Sequence, residues 1–195
     1  MAQRITSQSL QNSINVALIG AAAIKRAQGA LTAEQVVTES RRYGNHLGVE
    51  FGTVYQSSAV VADGTQPPSV ADSYSDYVPS ATPGARAPHV WLGHPGARLS
   101  TLDLFGSAFT LLAGPGGGAW CTVAAEVERE LGVPIDRYRV GAPGLRDLGG
   151  FTEAYGLGED GAVLVRPDGH IAWRSATGPG NGTGLRDAVE YILAC

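Results

Sequence analysis

The residues with the clearest chemical potential lie at positions 114–121, where Gly-Pro-Gly-Gly-Gly is followed by Ala-Trp-Cys. A cysteine at the start of a helix meets unpaired N–H groups and the positive end of the helix dipole, which stabilise a thiolate. Cys121 is therefore a candidate for monothiol redox chemistry. Dithiol exchange needs a second thiol, but Ala124 stands three positions later. The alternative is that Cys121 is an ordinary small residue on the first turn of a helix.

The glycine-rich stretch at 114–118 has the composition of a loop that binds an anion at a helix start. It lacks the Gly-Lys-Ser/Thr of a P-loop and does not follow the Gly-x-Gly-x-x-Gly pattern. The alternative is a flexible connection between a strand and a helix. The chain also contains no Gly-x-Ser-x-Gly nucleophile elbow.

The cysteines and histidines form no metal-binding pattern. Two cysteines, Cys121 and Cys195, are too few for a disulfide framework and predict a reducing environment. The histidines never occur at the i, i+4 spacing of a helical metal site: His46, His89, His94 and His170. We predict no metal site. The acidic residues Glu126, Glu128 and Glu130 are predicted to form a solvated helix face. The tryptophans are predicted to be core or interface residues: Trp91, Trp120 and Trp173.

Composition limits the class of protein. Of 195 residues, 27 are Gly and 11 are Pro, which excludes a coiled coil and a simple helix bundle. The net charge of −4 provides no basic surface for nucleic acid. No apolar run reaches the roughly 20 residues of a membrane span, and the residues after Met1 do not form a signal peptide. We expect a cytoplasmic protein that binds neither nucleic acid nor a membrane.

Residues 1–80 form the first of two predicted parts. Apolar residues at helical spacing predict a helix over 5–24, and a capping-box pattern at Thr32 predicts a second helix that ends near Tyr43. Residues 48–61 are β-prone and are predicted to be extended.

The end of this first part is predicted to be a linker. Residues 69–88 are rich in Ser, Asp, Tyr and Pro and show no periodicity, which is typical of a hydrated connection. Residues 1–80 are too few to enclose a core. Their apolar residues, among them Val54, Val60 and Val61, are therefore expected to need a partner from outside this chain.

Residues 81–195 are predicted to be a complete α/β domain. The predicted elements are extended pieces at 89–92 and 98–101, a strand at 109–113, a helix at 120–131, a strand at 135–140, a short helix at 151–155, a hairpin of 161–165 and 170–174, and a helix over 183–194. This is the thioredoxin-like order, with the first two long strands parallel. Its chemistry is predicted to be lost, since Ala124 replaces the second cysteine and no proline precedes the hairpin.

Several segments carry a specific pattern: 83–92 (Pro-Gly-Ala-Arg-Ala-Pro-His-Val-Trp-Leu), 100–106, 109–112, 160–174 (Asp-Gly-Ala-Val-Leu-Val-Arg-Pro-Asp-Gly-His-Ile-Ala-Trp-Arg) and, in the first part, Arg4, Ser9, Gln11, Asn12, Leu47, Gly48 and 55–61. Together they resemble the C-terminal region of flavin-dependent aromatic hydroxylases. The phenol hydroxylase and dichlorophenol monooxygenase branch is the most similar, and polyketide hydroxylases share the pattern. The resemblance covers essentially the whole chain.

The resemblance implies a thioredoxin-like domain without CxxC at 81–195, and the end of a substrate domain with its connector at 1–80. In this family, FAD binds through an N-terminal Gly-x-Gly-x-x-Gly and a later Gly-Asp motif, and the substrate lies on a central sheet. This sequence contains none of these regions. We therefore assign no catalytic, cofactor-binding or metal-binding residue to it; FAD and NAD(P)H are implied for the full-length family alone.

Four interpretations of function stay open. The first is the C-terminal, non-catalytic part of an FAD-dependent, NAD(P)H-using monooxygenase of phenols or polyketides, from a truncated gene, an isolated domain or a split enzyme. Its partners are then the flavin and substrate domains, or a second copy of the chain. The second is a free-standing thioredoxin-like binding module. The third is a monothiol redox protein that uses Cys121, and the fourth is a function with no recognisable pattern.

Overall fold

The computed structural model describes residues 44–180 and 184–194, together with Gly20, Gly29, Thr32, Glu34 and Gln35. The predicted capping box is confirmed: the Gln35 N–H donates to Thr32 Oγ1 (3.2 Å), and the Thr32 N–H donates to Gln35 Oε1 (2.8 Å). Apart from these positions, the two helices predicted over 5–24 and 32–43 lie outside the described residues.

The described elements follow one another along the chain as short helices and strands. They are α1 (Leu47–Phe51), β1 (Trp91–His94), β2 (Ala97–Ser100), a 3-10 helix (Thr101–Leu104), β3 (Phe109–Ala113), α2 (Gly118–Leu131), β4 (Ile135–Arg139), β5 (Arg146–Asp147), α3 (Phe151–Tyr155), β6 (Ala162–Val165), β7 (Ile171–Ser175) and α4 (Leu185–Leu193). They belong to two compact units: Met1–Phe51 with Val70–Tyr77, and Gly52–Ser69 with Val78–Cys195.

The centre of the second unit is a four-stranded mixed sheet in the order β4-β3-β6-β7. Strand β3 pairs in parallel with β4, from Phe109 opposite Ile135 to Ala113 opposite Arg139. Strand β6 is antiparallel to both β3 and β7. Helix α2 supplies the crossover that two parallel neighbours need. This order confirms the predicted thioredoxin-like α/β fold.

Two apolar clusters cover the two faces of this sheet, because alternate strand residues point to opposite sides. Leu111 and Leu164 face α2 and α4, with Trp120, Val127, Trp173 and Val189 in the same cluster. Leu112 and Val163 face the other way, towards α3 and the second sheet, and the residues that complete this cluster include Val90, Leu92, Val140, Phe151, Tyr155 and Ile171. The sheet is therefore the middle of three layers.

A smaller sheet of three antiparallel strands, in the order β2-β1-β5, lies in the second apolar cluster through Leu92. Ser100 and Asp103 form a capping box for the 3-10 helix that follows β2. Of the three tryptophans predicted to be core or interface residues, Trp120 and Trp173 are buried, whereas Trp91 on β1 is 41% exposed.

The prediction of a hydrated linker over 69–88 is wrong for its second half. Ala81, Ala85 and Ala87 are buried. The segment pairs with the hairpin through the Gly84 N–H to Ile171 O (2.8 Å) and the Ala87 N–H to Gly169 O (2.9 Å). These hydrogen-bond partners lie far away in the sequence, so local composition does not indicate them.

We call Gly52–Ser69 the strap; it contains no helix or strand. The Val61 N–H donates to Ala172 O of β7 (2.8 Å), the Tyr55 N–H donates to Gly84 O (3.0 Å), and Val60 is buried. The expectation that Val60 and Val61 lack partners within this chain is therefore wrong.

The prediction of an extended stretch over 48–61 is also wrong at its start, which is helix α1 of the first unit. Gly48 approaches the loop that follows so closely that a Cβ there would lie 2.3 Å from Ser73 O. The Val49 N–H donates to Tyr74 O (3.3 Å) and His46 packs edge-on against Tyr74. This loop contact, rather than the β propensity of Val49, accounts for the local structure. Among the residues described in either unit, no helix has the length and hydrophobicity to span a membrane.

Candidate functional site at the start of helix α2

The chemically suggestive residues of the sequence meet where β3 ends and α2 begins. Gly117 is the N-cap of α2, and no side chain caps the helix. Cys121 follows in the first turn and is half-buried. The first turn carries no acidic residue that would compensate the positive helix end. The location is therefore the one at which the sequence predicted either a thiolate or an anion.

Trp120 holds the start of α2 in place through hydrogen bonds and an aromatic contact. Its indole N–H lies within hydrogen-bond distance of two carbonyl oxygens, those of Asp160 (2.9 Å) and Thr177 (3.1 Å). Its ring packs edge-on against Trp173, with 5.1 Å between ring centroids. This geometry is favourable for aromatic pairs, and it ties α2 to β7 and to the loops before β6 and after β7.

The surroundings of Cys121 disfavour a thiolate. Burial raises the pKa of the Cys121 thiol, and the charges of Arg139 and Arg137 oppose this effect without cancelling it. A thiol is a nucleophile only when it is deprotonated. Ala124, at the position of a resolving cysteine, is fully buried in the core beneath α2. This arrangement supports the interpretation of Cys121 as an ordinary residue.

The glycine loop at 114–117 connects β3 to α2 and lies packed against Glu159 and Asp160. A Cβ on Gly114 would lie 2.4 Å from Glu159 O, and one on Gly116 would lie 2.2 Å from Asp160 Oδ1. The Gly114 N–H donates to Gly161 O (2.9 Å), and the Gly116 N–H donates to Glu159 O (3.0 Å). Glycine is needed at 114 because the backbone of Glu159 lies directly against it, and at 116 because the Asp160 carboxylate occupies the space of a Cβ.

This loop does not fit the pyrophosphate of a dinucleotide such as FAD. An anion site presents unpaired N–H groups, whereas here the N–H groups of Gly114 and Gly116 already bond to carbonyl oxygens. The cavity beside the loop, of about 460 Å³, has the carboxylate of Asp160 in its lining together with Gly117, Ala119, Thr177 and Gly178. A carboxylate there repels phosphate.

An ion pair that the sequence analysis missed attaches the strap to β7. Arg174 donates from Nη2 (2.6 Å) and Nε (2.8 Å) to Asp63 Oδ2, and from Nη2 to Thr65 Oγ1 (3.1 Å). Burial alone raises the pKa of Asp63, but hydrogen bonds from Thr65 and Arg174 and the charge of Arg174 outweigh it, so the pKa is lowered. The two ionic residues are 111 positions apart, so no local pattern indicates the pair.

The most specific motif of the sequence, at 160–174, forms a tight hairpin. Asp168 Oδ1 accepts from the His170 N–H (3.2 Å) while Arg166 pairs with the same carboxyl group. Burial raises the pKa of Asp168, but the His170 N–H and the charge of Arg166 lower it further than burial raises it. The Gly169 N–H donates to Arg166 O (2.9 Å) at a positive φ. Arg166 and Asp168 of the motif therefore stabilise the turn itself.

The histidines and acidic residues named in the sequence analysis are not brought together. His89 shares a 2.6 Å hydrogen bond with Ser100, His46 packs on Tyr74, and His170 packs edge-on against Tyr55. Among the described residues, no three His, Cys, Asp or Glu side chains are arranged to hold a metal ion. On the predicted solvated face of α2, two acids form ion pairs: Glu128 with Arg137 and Glu130 with Arg186.

Comparison with protein families finds one matching family model, described as the C-terminal region of aromatic-ring hydroxylases, over residues 80–194. Tetracenomycin A2 monooxygenase-dioxygenase of Streptomyces glaucescens is 44% identical over 156 residues, 74% of this chain and 28% of that protein. Aklavinone 12-hydroxylase RdmE of Streptomyces purpurascens is 50% identical over 126 residues, 64% of this chain and 23% of that protein. 2,4-Dichlorophenol 6-monooxygenase of Delftia acidovorans is 42% identical, over 77% of this chain and 26% of its own length.

Solved structures give the same result. A ternary complex of aklavinone-11 hydroxylase with FAD and aklavinone matches 76% of this chain and 27% of its own at 43% identity, with a TM-score of 0.63. The flavin-dependent monooxygenase PieE, in complex with FAD and substrate, matches 83% of this chain and 29% of its own at 38% identity, with a TM-score of 0.68. This chain therefore spans less than a third of the length of each of these proteins.

Proposed function

This chain belongs to the aromatic-ring hydroxylases, whose C-terminal region it matches, and on that premise we propose that it is the non-catalytic C-terminal part of an FAD-dependent, NAD(P)H-using monooxygenase of a phenol or a polyketide. The resemblance predicted from the sequence is confirmed. In such an enzyme FAD supplies the activation of oxygen. The residues of this chain supply packing and a surface for the preceding domains.

The single observation that carries the structural role is the closed start of α2. In a thioredoxin-like fold, chemistry depends on a thiolate or an open backbone site at that place. Here the loop glycines lie against Glu159 and Asp160, and burial raises the pKa of the Cys121 thiol. A domain of this fold without that chemistry contributes through its surfaces.

The proposed partners are the flavin and substrate domains of the same hydroxylase. In the first unit, Leu47 and Val49 of α1 are 47% and 53% exposed, although neighbouring Gly48 is buried. Apolar residues that stay exposed beside a packed loop are suited to a further contact. The resemblance of this region to the end of a substrate domain supports the same assignment.

A chimera tests the proposal. The stretch of aklavinone 12-hydroxylase from Streptomyces purpurascens that matches this chain is replaced by the corresponding residues of this chain. We expect the purified chimera to retain FAD and to hydroxylate aklavinone with oxidation of NADPH. Cys121→Ser and Asp160→Asn in the chimera should leave turnover unchanged, because neither residue is proposed to act on the reactants.

Two results would contradict the proposal. The first is a chimera that keeps its FAD but loses turnover specifically in the Cys121→Ser variant, since this would indicate thiol chemistry. The second is saturable binding of FAD to the chain alone, measured by quenching of flavin fluorescence. The unaltered aklavinone 12-hydroxylase is the reference for correct folding, and the hydroxylase from which the matching stretch has been deleted shows the effect of losing that stretch.

A further inference from the structure

The small sheet has an outer face that nothing described in this chain covers. Leu92 of β1 is fully buried, so Trp91 and Gly93 lie on the opposite side of the strand. Gly93 pairs with Arg98 of β2 on one side and with Arg146 of β5 on the other. Leu148 reaches over Gly93 and is 50% exposed. We call Trp91, Arg98, Arg146 and Leu148 the outer face.

The arginines of the outer face differ from most others in the described residues. Arg137, Arg174 and Arg186, like Arg129 and Arg166, each pair with a carboxylate of this chain. Within the described ranges, no carboxylate lies within ion-pair distance of Arg98 or Arg146. The nearby Asp147 is already engaged, since it accepts from the N–H groups of Gly149 and Phe151.

Arg98 is held in a position from which it can bind. Its guanidinium carbon lies 4.0 Å from the ring centroid of Trp91, and His89 packs edge-on against the same ring at 4.6 Å. A guanidinium stacked on an aromatic face keeps its edge N–H groups free for two parallel bonds to a carboxylate. Stacking also limits the side-chain entropy that binding would otherwise remove.

The composition of the outer face matches the centre of a protein interface. Tryptophan and arginine are the residues most enriched among those that dominate binding free energy. An exposed apolar pair, Trp91 and Leu148, lies beside two unpaired positive charges, although the chain as a whole has a net charge of −4. A partner surface complementary to the outer face would therefore be apolar and would carry carboxylates.

We propose that the outer face is the contact surface for a carboxylate-bearing surface of the flavin and substrate domains of the same hydroxylase. This rests on the function proposed above. A second copy of the chain is a poorer occupant, because two copies meeting by this face would bring Arg98 and Arg146 against their own counterparts. A small anion is a poorer occupant too, because it leaves Trp91 and Leu148 uncovered.

Hydroxyl-radical footprinting with mass spectrometry tests the proposal on the chain alone and on the chimera described above. Trp91 and Leu148 should be oxidised readily in the chain alone and several-fold more slowly in the chimera. Tyr191 of α4, which is 55% exposed, is the internal reference and should react equally in both. Equal oxidation of Trp91 in the chain and in an FAD-containing chimera would overturn the proposal while leaving the proposed function intact.

Charge reversal tests the chemistry of the contact. Arg98→Glu combined with Arg146→Glu should restore oxidation of Trp91 in the chimera, whereas Arg129→Glu, on the exposed side of α2, should not. In the chain alone these variants should lose little stability, because the contacts that they remove, the stacking of Arg98 on Trp91 and the pair of Arg129 with Glu130, lie at the surface. If the charge reversal and Arg129→Glu behave alike in the chimera, the electrostatic part of the proposal is wrong.

Failure of the chimera to fold would count against the proposed function. A third measurement tests the outer face even in that case, because it uses the chain alone. The chain alone is titrated with acetyl-Glu-Leu-Glu-Leu-Glu-amide and with its lysine counterpart. The tryptophan fluorescence is followed, and its change on binding is assigned to Trp91 because Trp120 and Trp173 are buried. Preferential binding of the acidic peptide, lost in the Arg98→Glu variant, supports the proposal. Equal fluorescence responses to both peptides would overturn the proposal. So would oxidation of Trp91 that becomes slower as the concentration of the chain alone is raised.

Discussion

The glycine loop at 114–117 and the strap Gly52–Ser69 both attach to the same large sheet, but different forces hold them. The loop is fixed by backbone hydrogen bonds and by the absence of side chains at Gly114 and Gly116. The strap is fixed by the ion pair of Asp63 with Arg174 and by backbone bonds from Val61 to Ala172 and from Tyr55 to Gly84. The loop has the more conspicuous sequence, and the strap has the more extensive polar contacts.

The loop and the strap are therefore expected to respond differently to substitutions and to changes of pH or salt. A segment fixed by close backbone contact is expected to resist changes of pH and salt but to tolerate no added atom. A segment fixed by a partly buried ion pair tolerates small substitutions but depends on the charge of its partners. A conspicuous glycine motif therefore indicates tight packing here, and the residues that join distant parts of the chain show no motif.

The largest expected effect is that of Gly114→Ala. The new Cβ would lie 2.4 Å from Glu159 O, a backbone atom that cannot rotate away. We expect the free energy of unfolding to fall by about 3 kcal/mol, the upper range for overpacking. Urea denaturation followed by circular dichroism measures this change.

Gly64→Ala in the strap is the matched control. Nothing lies within 4 Å of a Cβ there, although Gly64 has a positive φ of 82°. The cost is then the left-handed backbone alone, about 1 kcal/mol. Equal losses for the two variants would contradict the distinction between the loop and the strap.

The second prediction concerns Arg174→Ala. The variant removes both charged hydrogen bonds to Asp63, whose side chain is 21% exposed, and leaves the carboxylate without its ionic partner. We expect a loss of about 2 kcal/mol. Limited proteolysis should then cut within the strap more readily than in the wild type, in which the strap is bonded to β7.

A double-mutant cycle separates this pair from general packing. If Arg174→Ala and Asp63→Asn act through one interaction, their combined loss will be clearly smaller than the sum of the single losses. Additive losses would show that the two side chains stabilise the fold independently.

The third prediction is a dependence on acid pH. The pKa of Asp63 is lowered in the folded state, so its contribution is complete above its unfolded value near 4 and is lost as the pH falls through the lower folded value. Stability should therefore fall below about pH 4 less steeply in Asp63→Asn than in the wild type. Asp168, whose pKa is also lowered, should account for part of the slope that remains. Identical slopes for variant and wild type would contradict this assignment.

The smallest effect is expected at Cys121. Because burial raises the pKa of its thiol, alkylation by iodoacetamide should reach half its maximal rate above the pH at which an ordinary cysteine does. Cys121→Ser should change stability little. An alkylation midpoint shifted to acidic pH would instead restore the hypothesis of a reactive thiol; the Cys121→Ser variant controls for Cys195.

Local patterns predicted the elements that local interactions determine. The hairpin around Gly169, the helix α2 and the parallel strands beside it were all predicted from periodicity and turn residues. Helix α1 and the buried segment near Ala85 were predicted wrongly, because their hydrogen bonds go to loops or strands that no local pattern identifies.

The candidate site shows the same limit. The composition at 114–118 predicted where a loop precedes a helix, but not that Asp160 would lie against it. The pairing of Asp63 with Arg174 was not predicted, because a charge alone does not indicate its partner across more than a hundred residues. The family resemblance rested on sequence segments, and the structure shows that the most specific of them builds a turn.

The edge-on pair of Trp120 and Trp173 gives this protein an intrinsic optical reporter. Because the two indoles lie 5.1 Å apart in a fixed orientation, we expect their electronic transitions to couple and to give a paired positive and negative band in the far-ultraviolet circular dichroism. One indole belongs to α2 and the other to β7, so the band depends on the docking of that helix on the sheet. Its loss before the loss of helical signal would report an expanded state in which α2 has formed but has left the sheet.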